Sequence, residues 1–167
     1  MNAIIRRGIS LKKTARLLVL ILIAVIAIGY NLKLNAETRE NLIDTYRELD
    51  AADFALQEIA PESNRLQALA SEIYCEPQLE AALTYLMEMR DKKVKFVVES
   101  LKYPSIKVLE HSDNSATMLV QAEVAGSFFH VNDPEEKIRT VRKKTLYQVQ
   151  MAKIGEKWKI KQIDFLE

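Results

Sequence analysis

The sequence predicts an α+β domain in which helices come first and a four-stranded antiparallel meander sheet follows, behind an N-terminal apolar helix. Three observations lead to this fold class. An apolar run begins at Leu17, apolar residues at helical spacing come after it, and beyond Pro104 their period changes from 3.6 to 2. Because the strands follow the helices instead of alternating with them, the two kinds of element are segregated. The predicted segments are a basic cytoplasmic arm at 1–16, a transmembrane helix at 17–34, a helical stalk at 35–76 and an α+β domain at 77–167.

The apolar segment has a core that extends from Leu17 to Tyr30. Its fourteen residues fall between the apolar region of a signal peptide, roughly 7–15 residues, and a spanning helix, about 17–25. Extended to Leu34, the segment would be roughly 27 Å long as a helix, enough for a thin bilayer. A cleavage site after Ala36 would need a small residue where Leu34 stands. We therefore predict a retained anchor, with a cleaved signal and a buried core helix as the alternatives.

Charge on the two sides of this segment predicts its orientation. The arm carries basic residues and no acidic ones, whereas residues 33–60 carry three basic and seven acidic residues. By the positive-inside rule the N-terminus is cytoplasmic, and residues 35–167 lie outside, in a periplasmic, extracellular or lumenal space. The cations of the arm can also attract anionic lipid headgroups. They are Arg6, Arg7, Lys12, Lys13 and Arg16.

Overall charge and cysteine content exclude two classes of protein. The chain has a net charge of +1, and no part of the exported region is basic enough to indicate nucleic-acid binding. The single cysteine, Cys75, cannot form an internal disulfide. It is interpreted as a buried thiol, with a bridge between two chains as the alternative.

The stalk region contains a short apolar stripe. Residues 36–60 have neither Gly nor Pro, and Asn35 is a suitable N-cap. Leu42, Leu49 and Leu56 repeat every seven residues, so this helix either forms a coiled-coil seam between two copies or packs on its own domain. Further helices are predicted at 64–74 and from Pro77 onward. We expect the last one to continue through "VKFVVESL" at 94–101.

Four segments with alternating apolar residues follow, and they predict the sheet: "SIKVLEHS", "ATMLVQAEVAGSFFHV", "IRTVRKKTLYQVQMAKI" and "WKIKQIDFLE". "SDNS" and "GEK" are turns, and "NDPEEK" is a loop. Gly126 predicts a bulge or bend, and a slip in phase between Ile160 and Ile163 predicts a bulge near Lys161–Gln162. One sheet face is apolar and covers the helices, while the other is rich in Lys, Gln and Glu. The expected core includes Leu83, Leu86, Val120, Val149, Trp158 and Ile160.

Candidate residues for catalysis are few. The sequence has no nucleophile-elbow, zinc-protease or phosphate-loop motif. His111 and His130 have no metal-ligand spacing and are interpreted as solvated loop residues. An acid–base pair would need an inward acidic side chain within reach of a tyrosine, and Tyr147 is expected to belong to the core. We therefore predict no enzymatic activity, no cofactor and no metal.

A basic cluster in the third strand is the candidate binding feature. It consists of Arg139, Arg142, Lys143 and Lys144. Gln121 and Glu123 on the neighbouring strand are expected to lie across from it and to pair with it. The cluster is either a solvated, paired face or a docking surface for an acidic partner.

The ending "LYQVQMAKIGEKWKIKQIDF" resembles the terminal hairpin of nuclear-transport-factor-2-like, or cystatin-like, domains. In these, a Tyr-x-Val-x-hydrophobic strand continues into Gly-x-x-Trp-x-Ile. The resemblance covers residues 77–167 and implies a fold, not a function. The strand run also resembles the domain on the far side of the envelope in chloroplast-division proteins.

The order of arm, span, stalk and domain resembles bitopic accessory proteins, such as scaffold subunits of type IV secretion inner-membrane complexes and membrane proteins of lipid-import systems. This resemblance implies a non-catalytic single-pass accessory or assembly subunit whose exported domain docks partner proteins. Its partners would be membrane lipids and other subunits or a second copy, bound through the basic cluster and the leucine stripe. The alternative is a small-ligand or lipid-binding domain that uses a helix–sheet cavity.

Overall fold

A computed structural model describes the backbone of residues 11–166, and the side chains of residue 28, residues 33–133 and residues 135–166. The described helices are α1 (Leu11–Ile59), α2 (Leu66–Ile73) and α3 (Gln78–Asp91). The described strands are β1 (Val94–His111), β2 (Ser115–His130), β3 (Asp133–Ile154) and β4 (Lys157–Phe165). They form one antiparallel sheet in the order β1-β2-β3-β4, so the predicted α+β meander is confirmed.

The chain falls into two compact units, Met1–Glu40 and Asn41–Glu167. The basic arm, and all side chains of the predicted anchor except Ile28, Lys33 and Leu34, lie outside the described side chains. The retained span and its headgroup contacts therefore stay predictions. Among the residues whose side chains the structure describes, no helix has an apolar stretch long enough to cross a membrane.

Helix α1 passes Asn35 without interruption, so the predicted N-cap at Asn35 is wrong. The helix contains no proline that would end it. Local side-chain bonds also continue across this point. The Thr38 hydroxyl donates to the Leu34 carbonyl at 2.9 Å, and Lys33 pairs with Glu37 one turn away at 3.7 Å.

The core of the second unit lies between the helices and one face of the sheet. From α1, Leu42 and Leu56 are buried and Leu49 packs against the same cluster. Of the two interpretations of the leucine stripe, the structure therefore shows packing on its own domain. The alternating inward residues of β2 are buried as predicted, namely Ala116, Met118, Val120 and Ala122. Of the predicted core residues, Leu86, Val120, Val149 and Ile160 are buried, while Leu83 and Trp158 are half-buried against the cluster.

The segment "VKFVVESL" is the start of β1, so its predicted helical continuation is wrong. Helix α3 ends at Asp91, and Lys93 has a positive φ of 52°, which a continuing right-handed helix excludes. Val94 then pairs with His130 and Val97 with Ser127. The β-branched residues of this segment fit a pleated sheet better than a helix.

Of the two irregularities predicted in the sheet, one is confirmed and the other lies in the neighbouring strand. Lys161 is an extra residue, because Gln150 pairs with Gln162 and Met151 with Ile160, so the predicted bulge in β4 is confirmed. The irregularity expected at Gly126 lies instead in the opposite strand, between Val98 and Ser100. The predicted "NDPEEK" loop is likewise shorter than expected, since β3 already begins at Asp133.

Glycine is needed at Gly126 for close approach. A Cβ atom there would lie 2.5 Å from Phe96 Cζ and 2.6 Å from the Val97 carbonyl oxygen. No side chain fits at such distances without a shift of β1.

Candidate docking surface and buried polar network

The basic cluster forms an exposed surface in the middle of β3. Its four members, Arg139, Arg142, Lys143 and Lys144, are all exposed, and we call them the basic surface. Arg142 and Lys144 lie on one face of the strand because side chains alternate. Lys143 lies on the other face, with its ammonium group 5.3 Å from the ring centre of Phe165.

Pairing across the strands accounts for only one of these cations. Lys144 lies opposite Glu123 and forms an ion pair with it at 2.7 Å, as expected. Gln121 lies opposite Leu146, so its expected place across from the cluster is wrong. Among the described residues, none forms a salt bridge with the other three members. Three of the four cations therefore have no salt bridge among the described residues, although Arg142 also interacts electrostatically with Glu99.

A surface groove of about 510 Å³ adjoins this charge. Residues of β1, β2 and β3 line it, including Lys102, Glu123 and three members of the basic surface. Its other carboxylate, Glu99, accepts hydrogen bonds from Ser127 at 2.9 Å and Lys137 at 3.2 Å. The Ser127 bond, followed by the bond from Lys137, holds the pKa of Glu99 below its usual range. Because both acidic groups are engaged, the groove favours negatively charged ligands.

The other predicted candidates do not form a site together. His111 is half-buried at the end of β1 and His130 is exposed at the end of β2, at opposite ends of the hairpin. Cys75 is half-buried, its Sγ is 3.8 Å from the Ile160 carbonyl oxygen, and burial raises its pKa. Leu42 and Leu56 lie inside the core, where a partner could reach them only after α1 had moved.

Helix α1 also carries into the core a buried polar network that was not predicted from the sequence. Tyr46, Asp50, Asp53 and Gln57 are spaced four, three and four residues apart, so they lie on one face of the helix. Tyr46 and Gln57 are buried, and the two aspartates are half-buried. This spacing is visible in the sequence, but both aspartates entered the prediction only as part of the acidic charge of residues 33–60.

Hydrogen bonds connect this face to tyrosines of other elements. The Tyr103 hydroxyl donates to Asp50 Oδ2 at 2.5 Å, and the hydroxyls of Tyr46 and Tyr147 are 2.7 Å apart. The Tyr46 hydroxyl also interacts with the carboxyl group of Asp50, and this interaction opposes the rise in the pKa of Asp50.

Asp53 forms the second half of the network. It accepts from Gln57 Nε2 at 2.6 Å and forms a hydrogen bond with Tyr74. Burial raises the pKa of Asp53 and raises the pKa of Asp50 to about 6. The bond from Tyr103 opposes the shift at Asp50, and the bonds from Tyr74 and Gln57 oppose it at Asp53.

The network contains the inward acid beside a tyrosine that acid–base chemistry would require. Its groups nevertheless bond to one another. Every buried side-chain nitrogen and oxygen of the described residues has a hydrogen-bond partner. A fully satisfied network of this kind specifies one packing arrangement of α1 on the sheet.

Comparison with known proteins gives a likeness of fold. No protein-family model matches the chain, and no curated protein matches it. Among solved structures, the intermembrane space region of chloroplast protein ARC6 has 14% sequence identity and a TM-score of 0.55, over 74% of this chain and 95% of that one. At this identity the likeness shows the fold alone.

Two further solved structures are less similar in shape, and neither bears on function. A variant of Rd1NTF2_05 has 10% identity and a TM-score of 0.41, over 74% of this chain and 97% of that one. A de novo designed β-sheet protein, solved by NMR in solution, has 14% identity and a TM-score of 0.36, over 76% of this chain and 88% of that one.

Proposed function

We propose that the chain is a non-catalytic accessory subunit of a membrane complex. A single span at residues 17–34 holds it in the membrane with its N-terminus in the cytoplasm, and the exported α+β unit docks an acidic protein partner on the basic surface. In this proposal the unit belongs to the nuclear-transport-factor-2-like folds, because helices precede a four-stranded meander that ends in the quoted hairpin.

The observation that carries this proposal is the charge of the basic surface. Arg142 and Lys143 line the 510 Å³ groove, and among the described residues neither of them forms a salt bridge. Repulsion among like charges that lie close together destabilises the folded chain. Binding of an acidic surface relieves this repulsion. The basic surface thus fits a protein partner better than it fits a purely structural role.

Two further observations support a place at a membrane. The region of ARC6 that shares the fold lies in an intermembrane space. The apolar run from Leu17 to Leu34 follows a purely basic arm, which is the charge order of a retained anchor with its N-terminus inside. Intact-mass measurement of the protein extracted from membranes should find the arm still attached, and a mass that begins near Glu37 would contradict the anchor.

The docking role is tested by capture of partners from membranes. The full tagged chain is crosslinked in situ, and its bound proteins are compared with those of Arg142→Glu/Lys143→Glu. The matched control is Lys107→Glu/Lys161→Glu, which changes the net charge equally at exposed positions outside the groove. We expect the first variant to lose its partners and the control to keep them. Equal capture by all three proteins would refute docking on the basic surface.

A second candidate function is binding of a small ligand. A cleft of about 210 Å³ that is lined by Tyr85, Met89 and Phe128 favours it. Tyr85→Ala would then abolish ligand-dependent thermal stabilisation by a polar lipid added to the full chain, while partner capture would persist. An equal response of both proteins to the lipid would exclude this cleft.

A further inference from the structure

The outer edge of β3 is open over much of its length. Strand β3 pairs with β2 from Asp133 to Ala152, but β4 covers it only from Tyr147 to Ile154. The backbone pairing nearest the open part is the bond from the Leu166 N–H to the Leu146 carbonyl at 2.9 Å. Of the residues that the structure describes, none pairs with this edge before Leu146.

The direction of the unpaired groups follows from that last bond. In a regular strand the N–H and C=O of one residue point to the same side, and successive residues alternate. The register with β2 is unbroken from Arg139 to Ala152. Because the Leu146 carbonyl points outward, the N–H and C=O groups of Thr140, Arg142 and Lys144 point to the open edge as well.

The other edges of the sheet are less available. Strand β1 contains Pro104 and three shifts of register, which interrupt a regular row of donors and acceptors. The outer edge of β4 is covered in part by the residues that follow α2. Cys75 donates its N–H to the Ile160 carbonyl at 3.0 Å, and the Gln78 side chain accepts from the Ile163 N–H at 3.1 Å.

From this edge and its charge, we propose that the partner docks by strand addition. An extended acidic segment of another protein pairs with the edge of β3 at Thr140, Arg142 and Lys144, in line with β4. This inference rests on the proposed function and gives it a binding mode. An open sheet edge offers main-chain hydrogen bonds to any extended peptide, and the side chains beside it select the sequence.

The positive charge beside the edge of β3 determines which kind of strand can pair with it. Pairing with the same edge of a second copy would bring two basic surfaces together, and like charges on neighbouring strands repel. A strand with Asp or Glu at alternate positions would instead place a carboxylate beside Arg142, which has no salt bridge among the described residues. Phe165 and Leu166 are 68% and 53% exposed at the end of β4, so an apolar residue at the end of the segment could pack there.

The test measures binding of a defined peptide to the full chain in detergent micelles. The probe is a capped decapeptide of alternating Glu and Val, and its control is the same peptide with every backbone nitrogen methylated. We expect only the unmethylated peptide to bind. It should slow hydrogen exchange at the amides of Thr140, Arg142 and Lys144 about tenfold or more, while the amides of Val141 and Lys143, which point to β2, stay as they were.

Two substitutions at Arg142 distinguish the contribution of its charge to peptide binding from that of its backbone N–H. Arg142→Gln removes the charge, whereas Arg142→Pro removes the charge and also the outward N–H, which an edge position tolerates. We expect Arg142→Pro to bind the peptide about 5–10-fold more weakly than Arg142→Gln, as loss of one net hydrogen bond implies. If the proline variant does not fold, the methylated peptide and the exchange rates still decide the outcome.

Each result that would contradict the proposal excludes a different part of it. Equal binding of both peptides without protection of the three amides would overturn strand addition and leave docking by charge in place. No binding of the unmethylated peptide would also overturn strand addition. Equal binding of that peptide by wild type and by Arg142→Glu/Lys143→Glu would overturn the proposed docking surface itself. Edge amides that become protected in the free chain as its concentration rises would identify a second copy as the occupant, and so would overturn the acidic segment.

Discussion

Replacing Asp50 with Asn should weaken the pH dependence of stability. Burial raises the pKa of Asp50 from 3.8 to about 6 in the folded protein. A group with a raised folded pKa contributes stability below its unfolded pKa, and this contribution is lost as pH rises through the folded pKa. The wild-type domain should therefore be more stable at pH 4.5 than at pH 7.5. Above about pH 6 Asp50 is ionised in both the folded and the unfolded state, so the stability falls only between pH 4.5 and about pH 6. At about 1.4 kcal/mol per pH unit, the loss over this interval is about 2 kcal/mol.

Other carboxyl groups also contribute to the pH dependence of stability, in directions that follow from their pKa shifts. Burial raises the pKa of Asp53 too, so some loss of stability with rising pH should remain in Asp50→Asn. The pKa values of Glu72 and Glu99 are lowered by hydrogen bonds from Lys157 and Ser127, respectively. These two contribute stability that is lost as pH falls, at pH values mostly below the range measured.

The assay is urea unfolding of the full chain in mild detergent at pH 4.5 and 7.5. The single tryptophan, Trp158, packs against the core and reports on it by fluorescence. The control is Asp44→Asn, at an exposed aspartate of the same helix that pairs with Arg47 at 3.0 Å. Wild type and the control should lose about 2 kcal/mol more than Asp50→Asn between the two pH values. Equal losses in all three proteins would show that Asp50 is not withdrawn from water.

Two further stability predictions concern the sheet. Gly126→Ala should cost about 1–3 kcal/mol because the new Cβ meets the Val97 carbonyl, whereas Gly155→Ala, at φ +62° with nothing within 4 Å, should cost only about 1 kcal/mol; urea midpoints in the reverse order would contradict this account of Gly126. Trp158→Ala should cost about 2 kcal/mol, less than a fully buried tryptophan, because the ring is only half-buried. Far-UV circular dichroism replaces fluorescence for that variant, and an unchanged midpoint would show that the ring does not pack.

The sheet was largely predictable because its signal is local. Alternation in β2 and the phase slip around Lys161 can both be read along a single strand, and both were correct. The first part of β1 was not predictable in this way, since Val94, Val97 and Val98 suit either period. Their conformation is decided by pairing with residues about thirty positions later in β2 and by the backbone at Lys93.

The buried network was missed for a related reason. An aspartate in an acidic, amphipathic helix looks like a solvated charge unless its partners are known. The partner of Asp50 is Tyr103, 53 residues away, and the partner of Tyr46 is Tyr147, 101 residues away. No local pattern connects them. The helical spacing of Tyr46, Asp50 and Asp53 with the leucine stripe was the only indication in the sequence.

Unused hydrogen-bonding capacity distinguishes the interior of this domain from its edge. Inside, Asp50, Asp53 and their tyrosines bond to one another, and no buried polar side-chain atom of the described residues lacks a partner. A ligand that entered would have to replace bonds already formed, which gives little net gain. At the open edge of β3 the same exchange replaces only water, and nearby cations add electrostatic attraction. For this reason the surface of β3, and not the polar core, is where binding gains the most.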